Sequence, residues 1–189
     1  MKIEEIKTGD TLLIRGTGFI SNVICKVMEK WGKRNKYDTS KLYSHAGTFI
    51  WIAGELYVFG SIDSGYKPWL FKLHYDWDKD NYLIMRRNTE LTLEESNKVT
   101  NYCLHLVTVS LLYQYWNFIQ WLVLVYLKIN LFKQDSPDYT YCYESTRMVR
   151  KDLDPDNYTE VYQSDLFQIL YDKNYSIIFI NNPLSSFNH

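Results

Sequence analysis

The sequence predicts an α+β domain in which a small antiparallel sheet or half-barrel packs on helices. Short β-prone runs joined by turn residues dominate the first half of the chain, which is typical of antiparallel strands. Longer runs whose apolar residues recur at helical spacing lie between and after these strands. The 189 residues contain no linker long enough to divide them, so we expect residues 1–189 to form one domain.

The first predicted elements are a short strand and an amphipathic helix. The turn residues Lys7–Asp10 lead into Thr11–Arg15, a β-prone run that we expect to form a buried strand. From Phe19 to Trp31 the apolar side chains recur at helical spacing, and Gly32 is the expected end of this helix. The basic stretch Lys33–Lys36 is interpreted as a solvated loop.

A hairpin and a third strand are expected next. The runs Tyr43–Ile52 and Leu56–Phe59 flank a turn that contains Gly54, a pattern that indicates two antiparallel strands. A polar, aromatic loop that contains His74 follows them, and Tyr82–Arg86 predicts the third strand.

The second half is predicted to be mainly helical. Thr92–Glu95 has the capping-box pattern, and helical spacing continues from there to about Ser110. The run Thr140–Lys151 is compatible with a helix that has Cys142 in its first turn. A last β-rich run predicts a strand over Tyr175–Ile180.

The most apolar stretch, Trp116–Phe132, has two interpretations. Polar residues interrupt it, and a helix that spans a bilayer needs about 20 mainly apolar residues. We therefore expect a core helix in preference to a spanning one. Peripheral contact with a membrane, through a lipid-facing surface on this stretch, is the alternative.

Charge and cysteine usage exclude several classes of protein. The formal net charge is −1, so nothing draws the whole chain toward a phosphate backbone and we expect no nucleic-acid partner. The cysteines, Cys25, Cys103 and Cys142, are too widely spaced for a disulfide framework or a zinc site, and no metal or cofactor is expected. Acidic residues stand where a signal peptide would be basic, so the expected location is the cytoplasm.

Two residues have positions that suit nucleophilic catalysis. A thiol attacks as its thiolate, and the positive end of a helix together with a nearby imidazole lowers a thiol pKa. Cys142 lies at the predicted start of a helix, whereas Cys25 and Cys103 lie on apolar faces in mid-helix. His45 opens a predicted strand, and the small residues Ala46 and Gly47 after it allow another element to approach closely.

These signals together resemble the circularly permuted papain-like amidases of the NlpC/P60 superfamily, in the YiiX-like branch. In that branch the histidine precedes the cysteine in the sequence, as His45 precedes Cys142 here. The resemblance covers most of the chain and implies a permuted papain-like fold. The motifs that carry it are Gly9-Asp10, Ser44-His45, Leu56-Tyr57-Val58-Phe59, Tyr113-Gln114-Tyr115, Cys142-Tyr143-Glu144-Ser145 and Gln163-Ser164-Asp165-Leu166.

The resemblance implies a cysteine hydrolase that cleaves an amide or ester bond through an acyl-enzyme. Cys142 would attack the carbonyl carbon and His45 would take the thiol proton. The backbone N–H of Cys142 would hold the oxyanion. The implied substrates are small molecules, peptides or lipids, such as a peptidoglycan-type amide or an acyl lipid. The sequence does not predict an oligomeric state.

The chain departs from the family where a third catalytic residue, often glutamate, is usual. Counting along the second strand of the hairpin places Gly60 at that position. Three alternatives remain for orienting the imidazole. Asp63 could reach back from the loop, a backbone carbonyl could take this role, or the site could act as a dyad without a third residue. We expect Glu55 to be a solvated turn residue. The missing carboxylate also permits a second interpretation, a papain-like binding or structural module without activity.

A second departure is Tyr143, which stands where the family commonly has serine. Its ring would either narrow the pocket or point into solvent. The neighbouring acid, Glu144, matches the family pattern. In the first turn of a helix, however, a carboxylate also has an ordinary role in stabilising the helix dipole, so we assign it no chemistry.

Overall fold

The computed structural model describes residues 1–62, 65–109, 112–113, 123, 126–127, 139–140, 142–154 and 165–181. The protein has an α+β fold, as expected. Its strands are β1 Thr11–Arg15, β2 His45–Ile52, β3 Glu55–Ile62, β4 Gly65–Leu70, β5 Asn81–Arg87, β6 Leu112–Tyr113, β7 Tyr139–Thr140 and β8 Tyr175–Asn181. Its helices are α1 Phe19–Arg34, α2 Phe71–His74, α3 Leu93–Thr108, α4 Cys142–Leu153 and α5 Asp165–Leu170.

A six-stranded sheet in the order β4-β3-β2-β1-β5-β8 forms the centre of the fold. Every pair of adjacent strands in this sheet is antiparallel. The hairpin of β2 and β3 turns at Ala53 and Gly54, where both residues have positive φ. His45 pairs with Ile14 of β1 and so lies at one end of the sheet. Buried side chains of α1, α4 and α5 pack with Ala46 and Leu83 of this sheet.

The turn before β1 is held by an ion pair. Both nitrogens Nε and Nη2 of Arg86 donate to the carboxylate of Asp10, at 2.8 and 2.6 Å. Gly9 has a φ of +89°, and its N–H donates to the carbonyl oxygen of Phe49 at 2.8 Å. The Gly-Asp turn therefore fastens the start of β1 to β2 and β5.

The prediction that Gly32 ends α1 is wrong, because the helix continues to Arg34. A Cβ on Gly32 would lie 2.6 Å from Thr39 Cγ2 and 2.7 Å from the Phe167 ring. Because Gly32 has no side chain, Thr39 and Phe167 can pack closely against the helix. Beyond Arg34, the side-chain amide of Asn35 donates to the carbonyl oxygen of Trp31 at 2.8 Å.

The prediction of a loop before β5 is also wrong, because β4 and α2 lie in this segment. Pro68 lies inside β4 and argues against a strand when the sequence is considered alone. The structure accommodates it because β4 is an edge strand that pairs with β3. The other predicted strands, the hairpin and the capping box of Thr92 and Glu95 are confirmed.

Two expectations fall largely or wholly outside the described residues. Asp63, the suggested third catalytic residue, is not among them, and neither is most of Trp116–Phe132. Within the described ranges, no helix is both long and apolar enough to cross a membrane.

Candidate active site

Helix α4 begins at Cys142, which places this cysteine at the positive end of a twelve-residue helix. Two hydroxyl groups of the first turn, Ser145 Oγ and Thr146 Oγ1, donate to the carbonyl oxygen of Cys142 at 2.9 and 3.0 Å. Both residues are buried, so the bonds are shielded from water. They fix the backbone of Cys142 relative to the helix.

A buried arginine fastens α4 to the sheet. Arg150 is 1% exposed; its Nε donates to Thr11 Oγ1 at 3.0 Å and its Nη1 donates to the carbonyl oxygen of Ile169 at 2.9 Å. The same Nη1 lies 3.5 Å from the Asp172 carboxylate, and the guanidinium stacks 3.8 Å from the centre of the Tyr175 ring. These contacts fix α4 against β1, α5 and β8, and hence the position of Cys142.

Hydrogen bonds to three successive backbone carbonyls hold the segment that leads into His45. The thiol of Cys25 on α1 donates to Leu42 O at 3.9 Å, and the Tyr143 hydroxyl donates to Tyr43 O. The thiol of Cys142 donates to Ser44 O at 4.0 Å. Helices α1 and α4 therefore clamp this segment from two sides.

These bonds place the sulfur of Cys142 beside the peptide bond that joins Ser44 to His45. Ser44 is itself fixed, since its N–H donates to Ile14 O at 2.8 Å and its hydroxyl accepts from the Gly16 N–H at 3.0 Å. Cys142 is 3% exposed and belongs to the same buried cluster as Ala46. The fold thus brings the candidate nucleophile to the start of the histidine strand.

The imidazole of His45 lies in an apolar environment. Its ring centre is 5.6 Å from that of Trp69, and the atom Nε2 is buried without a hydrogen bond to any residue that the structure describes. Burial lowers the pKa of His45 to about 4, because the charged form loses its hydration. The ring is therefore neutral at pH 7, and its buried Nε2 has no hydrogen bond to any described residue.

The lowered pKa predicts how His45 affects stability. In the unfolded chain His45 takes up a proton near pH 6.5, whereas the folded protein takes it up only near pH 4. The free energy of unfolding should therefore fall as pH drops from 6.5 to 4, by about 3 kcal/mol at most. His45→Gln should remove this contribution. Urea titrations at pH 7, 5.5 and 4 measure it, with the exposed His105→Gln as the control. Parallel pH profiles for wild type and His45→Gln would contradict the assignment.

Sequence reasoning missed two aromatic residues near His45. The ring of Trp69 lies beside the imidazole, and its indole N–H donates to the hydroxyl of Tyr75 at 3.0 Å. Burial raises the pKa of Tyr75, so its hydroxyl is neutral at pH 7. The density of Trp and Tyr between β3 and β5 was the available signal.

Gly60 lies where the resemblance predicts a carboxylate, and the packing there leaves no room for a side chain. A Cβ on Gly60 would lie 2.9 Å from Ala46 O and 3.1 Å from the ring of Trp69. Glu55 pairs with Lys72 at 2.7 Å, in the turn at the other end of β2 from His45. Neither position supplies a carboxylate to the imidazole.

Gly60→Ala should destabilise the protein by about 1–3 kcal/mol, because the added methyl group meets a backbone oxygen and an indole ring that are already in contact with neighbours. Thermal unfolding followed by circular dichroism measures the change. Gly54→Ala provides the comparison for backbone strain, since its φ is +80° and its Cβ would meet nothing within 4 Å. Unchanged stability of Gly60→Ala would show that β2 and β3 are not packed this closely.

The expected alternative that Tyr143 points into solvent is wrong, because the side chain is 2% exposed and its hydroxyl donates to Tyr43 O. Its ring anchors α4 in the core. Glu144 is also buried, at 7% exposure, in the first turn of α4. Its location near the positive helix end suits the dipole role expected from the sequence.

Cys25 and Cys103 are buried in helices, as their apolar spacing predicted. Burial raises the pKa of both thiols, that of Cys103 to about 12. His74 and His105 are exposed. Among the described residues, no group of three or more His, Cys, Asp or Glu side chains is arranged to hold a metal ion.

A cavity of about 420 Å³ lies at the end of the sheet away from His45. Its lining includes Lys7, Asp10, Trp51, Arg86 and Glu90. Lys7 pairs with Glu90 and Arg86 pairs with Asp10, so these charges are already compensated within the protein. Neither Cys142 nor His45 lines it.

The fold is similar to that of a distantly related protein of known structure. No family model matches the chain, and no curated protein matches it. The fold is similar to a crystal structure of the metalloprotein YiiX from Escherichia coli O157:H7, with 17% sequence identity and a TM-score of 0.47. The match covers 77% of this chain and 65% of the YiiX chain. The match shows no specific family.

Proposed function

We propose that the protein is a cysteine hydrolase in which Cys142 is the nucleophile and His45 the general base. The observation that carries the proposal is the contact of the Cys142 sulfur with the carbonyl of Ser44, one peptide bond from His45. A thiol at the start of a helix, beside a histidine strand, has the components that nucleophilic acyl transfer requires.

In the proposed reaction His45 accepts the thiol proton as the sulfur forms a bond to the substrate carbonyl carbon. The acceptor would be Nε2, which is buried and has no hydrogen bond to any described residue. The backbone N–H of Cys142 stabilises the oxyanion, and the protonated imidazole then returns its proton to the leaving amine or alcohol. Water, activated by the same nitrogen, hydrolyses the thioester and regenerates the thiol.

The environment of the pair favours a neutral resting state. Burial places the His45 pKa at about 4, because the charged imidazole loses its hydration. A base whose pKa lies well below the working pH drives proton transfer weakly. We therefore propose that proton transfer accompanies attack on the substrate and that no stable thiolate precedes it. The substrate class we propose is an amide or ester of an acyl group or amino acid.

A series of p-nitrophenyl esters, from acetate to octanoate, tests this function. The wild type should release nitrophenol with an initial burst, and intact-protein mass spectrometry should find the acyl group on Cys142. Cys142→Ala should abolish both signals. Cys25→Ala is the matched control, because this buried thiol also donates to a backbone carbonyl but lies in mid-helix. An equal loss in both variants, or acylation elsewhere, would refute the proposal.

A papain-like binding or structural module is the second candidate. It is favoured by the His45 ring, which has no hydrogen bond to any described residue, and by the absence of space for a side chain at Gly60. This candidate predicts no acylation of Cys142 by any ester of the series. The protein would then retain its fold and stability in Cys142→Ala.

A further inference from the structure

The charge of the protein is strongly uneven along the chain. Between Arg15 and Lys41 there are seven Lys or Arg residues and two acidic ones, Glu29 and Asp38. The whole chain has 21 basic and 22 acidic residues, so the remainder is acidic. This basic segment consists of α1 and the residues that flank it.

Helix α1 directs its basic residues outward. One face of the helix contains Phe19, Lys26, Lys30 and Lys33, because successive members of this series are seven, four and three residues apart. All four are exposed. The opposite face is buried and contains Cys25, Met28, Trp31 and Gly32.

Large apolar side chains lie among these charges. Phe19 is 82% exposed and Ile20 is 65% exposed at the start of α1. Farther along the helix, the ammonium of Lys30 lies 3.9 Å from the centre of the Tyr126 ring. Tyr126 is 50% exposed and its neighbour Leu127 is 63% exposed. We call Phe19, Ile20, Lys26, Lys30, Arg34, Tyr126 and Leu127 the α1 surface.

Most of the positive charge on this surface is uncompensated. Within the described part of the chain, Lys33 pairs with Glu29, whereas Lys26, Lys30 and Arg34 form no ion pair. Apolar side chains exposed to water beside unpaired basic ones combine the two features that attach a protein to an anionic lipid interface.

We propose that the α1 surface docks on a membrane that contains anionic lipid. Lys26, Lys30 and Arg34 would bind the lipid phosphates and carboxylates, while Phe19 and Ile20 enter the boundary between headgroups and acyl chains. A nucleic acid would satisfy the charges but offers no apolar layer to the aliphatic side chains of Ile20 and Leu127. A lipid interface satisfies both.

Docking through α1 would bring the candidate active site close to the bilayer. The buried face of α1 holds Cys25 against Leu42 O, and the Gly16 N–H just before the helix binds the Ser44 hydroxyl. Both contacts lie within three residues of His45. The docking proposal stands independently of catalysis, because neither Cys142 nor His45 belongs to the α1 surface.

Co-sedimentation with vesicles tests the proposal. The full-length protein should bind vesicles of phosphatidylcholine and phosphatidylserine and should bind pure phosphatidylcholine at least about tenfold more weakly. The triple variant Lys26→Glu, Lys30→Glu, Arg34→Glu and the double variant Phe19→Ser, Ile20→Ser should each lower the partition coefficient about tenfold or more. Cys142→Ala should bind as the wild type does, which separates this test from that of the hydrolase.

Two matched controls address general effects of charge and apolar surface. Lys67→Glu changes an exposed basic residue on β4, and Leu93→Ser removes a leucine that is 79% exposed at the start of α3. Both should leave binding unchanged. Equal binding to neutral and anionic vesicles, or no binding at all, would overturn the proposal. Binding that needs the basic residues but not Phe19 and Ile20, with equally tight binding to single-stranded RNA, would also overturn it in favour of a polyanion site.

Discussion

Arg150→Met should lower the free energy of unfolding by about 3–5 kcal/mol, the largest loss of stability that we expect from a single substitution here. The guanidinium is buried, donates hydrogen bonds to Thr11 and Ile169, and forms an ion pair with the carboxylate of Asp172. The Asp172 side chain is itself only 3% exposed. Removing the arginine therefore takes away a cation 3.5 Å from a buried carboxylate, along with two buried hydrogen bonds.

Urea denaturation at pH 7 measures this loss. Arg34→Met, on the exposed face of α1, is the matched control and should change the free energy of unfolding by less than about 0.5 kcal/mol. The double variant Arg150→Met, Asp172→Asn should be less destabilised than the sum of the two single variants, because it removes both charges of the ion pair together. A loss below about 1 kcal/mol for Arg150→Met would show that the ion pair does not hold α4 on the sheet.

His45→Gln should lower kcat/KM for ester hydrolysis by about 10²–10⁴, the range that a general base contributes. Glutamine fills a similar volume but does not accept the thiol proton. His74→Gln serves as the control, since His74 is exposed at the end of α2. Equal activities of wild type and His45→Gln would remove His45 from the mechanism, whatever Cys142 contributes.

Local sequence patterns were sufficient to predict most strands of the sheet. The turn residues Gly9 and Gly54 mark the ends of runs whose strand character is evident over five to eight residues. Edge strand β4 was missed because Pro68 is unfavourable in a strand unless one side of it is open. The end of α1 was misplaced because the packing of Phe167 over Gly32 is a contact between segments distant in the sequence.

Local patterns also predict some features of the candidate site, whereas others depend on contacts between distant segments. Cys142 at a helix start and His45 at a strand start follow from residues close to them in the sequence. The clamp on Leu42–Ser44 does not, because its donors come from α1 and α4. Arg150 in a helical run also looks solvent-exposed until its distant partner Asp172 is known. The environment of His45, and with it the lowered pKa, depends on Trp69 of the missed strand β4.

The pH dependence of Cys142 alkylation tests the central pairing most directly. The rate of carbamidomethylation by iodoacetamide, resolved for each cysteine by peptide mass spectrometry, is measured from pH 4 to pH 9. If neutral His45 takes the thiol proton as the sulfur attacks, the rate depends on the fraction of neutral imidazole. With a pKa of about 4 this fraction is nearly complete above pH 5, so the rate at Cys142 should be level from about pH 5 to pH 8. In His45→Gln the rate should instead rise about tenfold per pH unit, as for an isolated thiol. The same steep rise in the wild type would contradict the account.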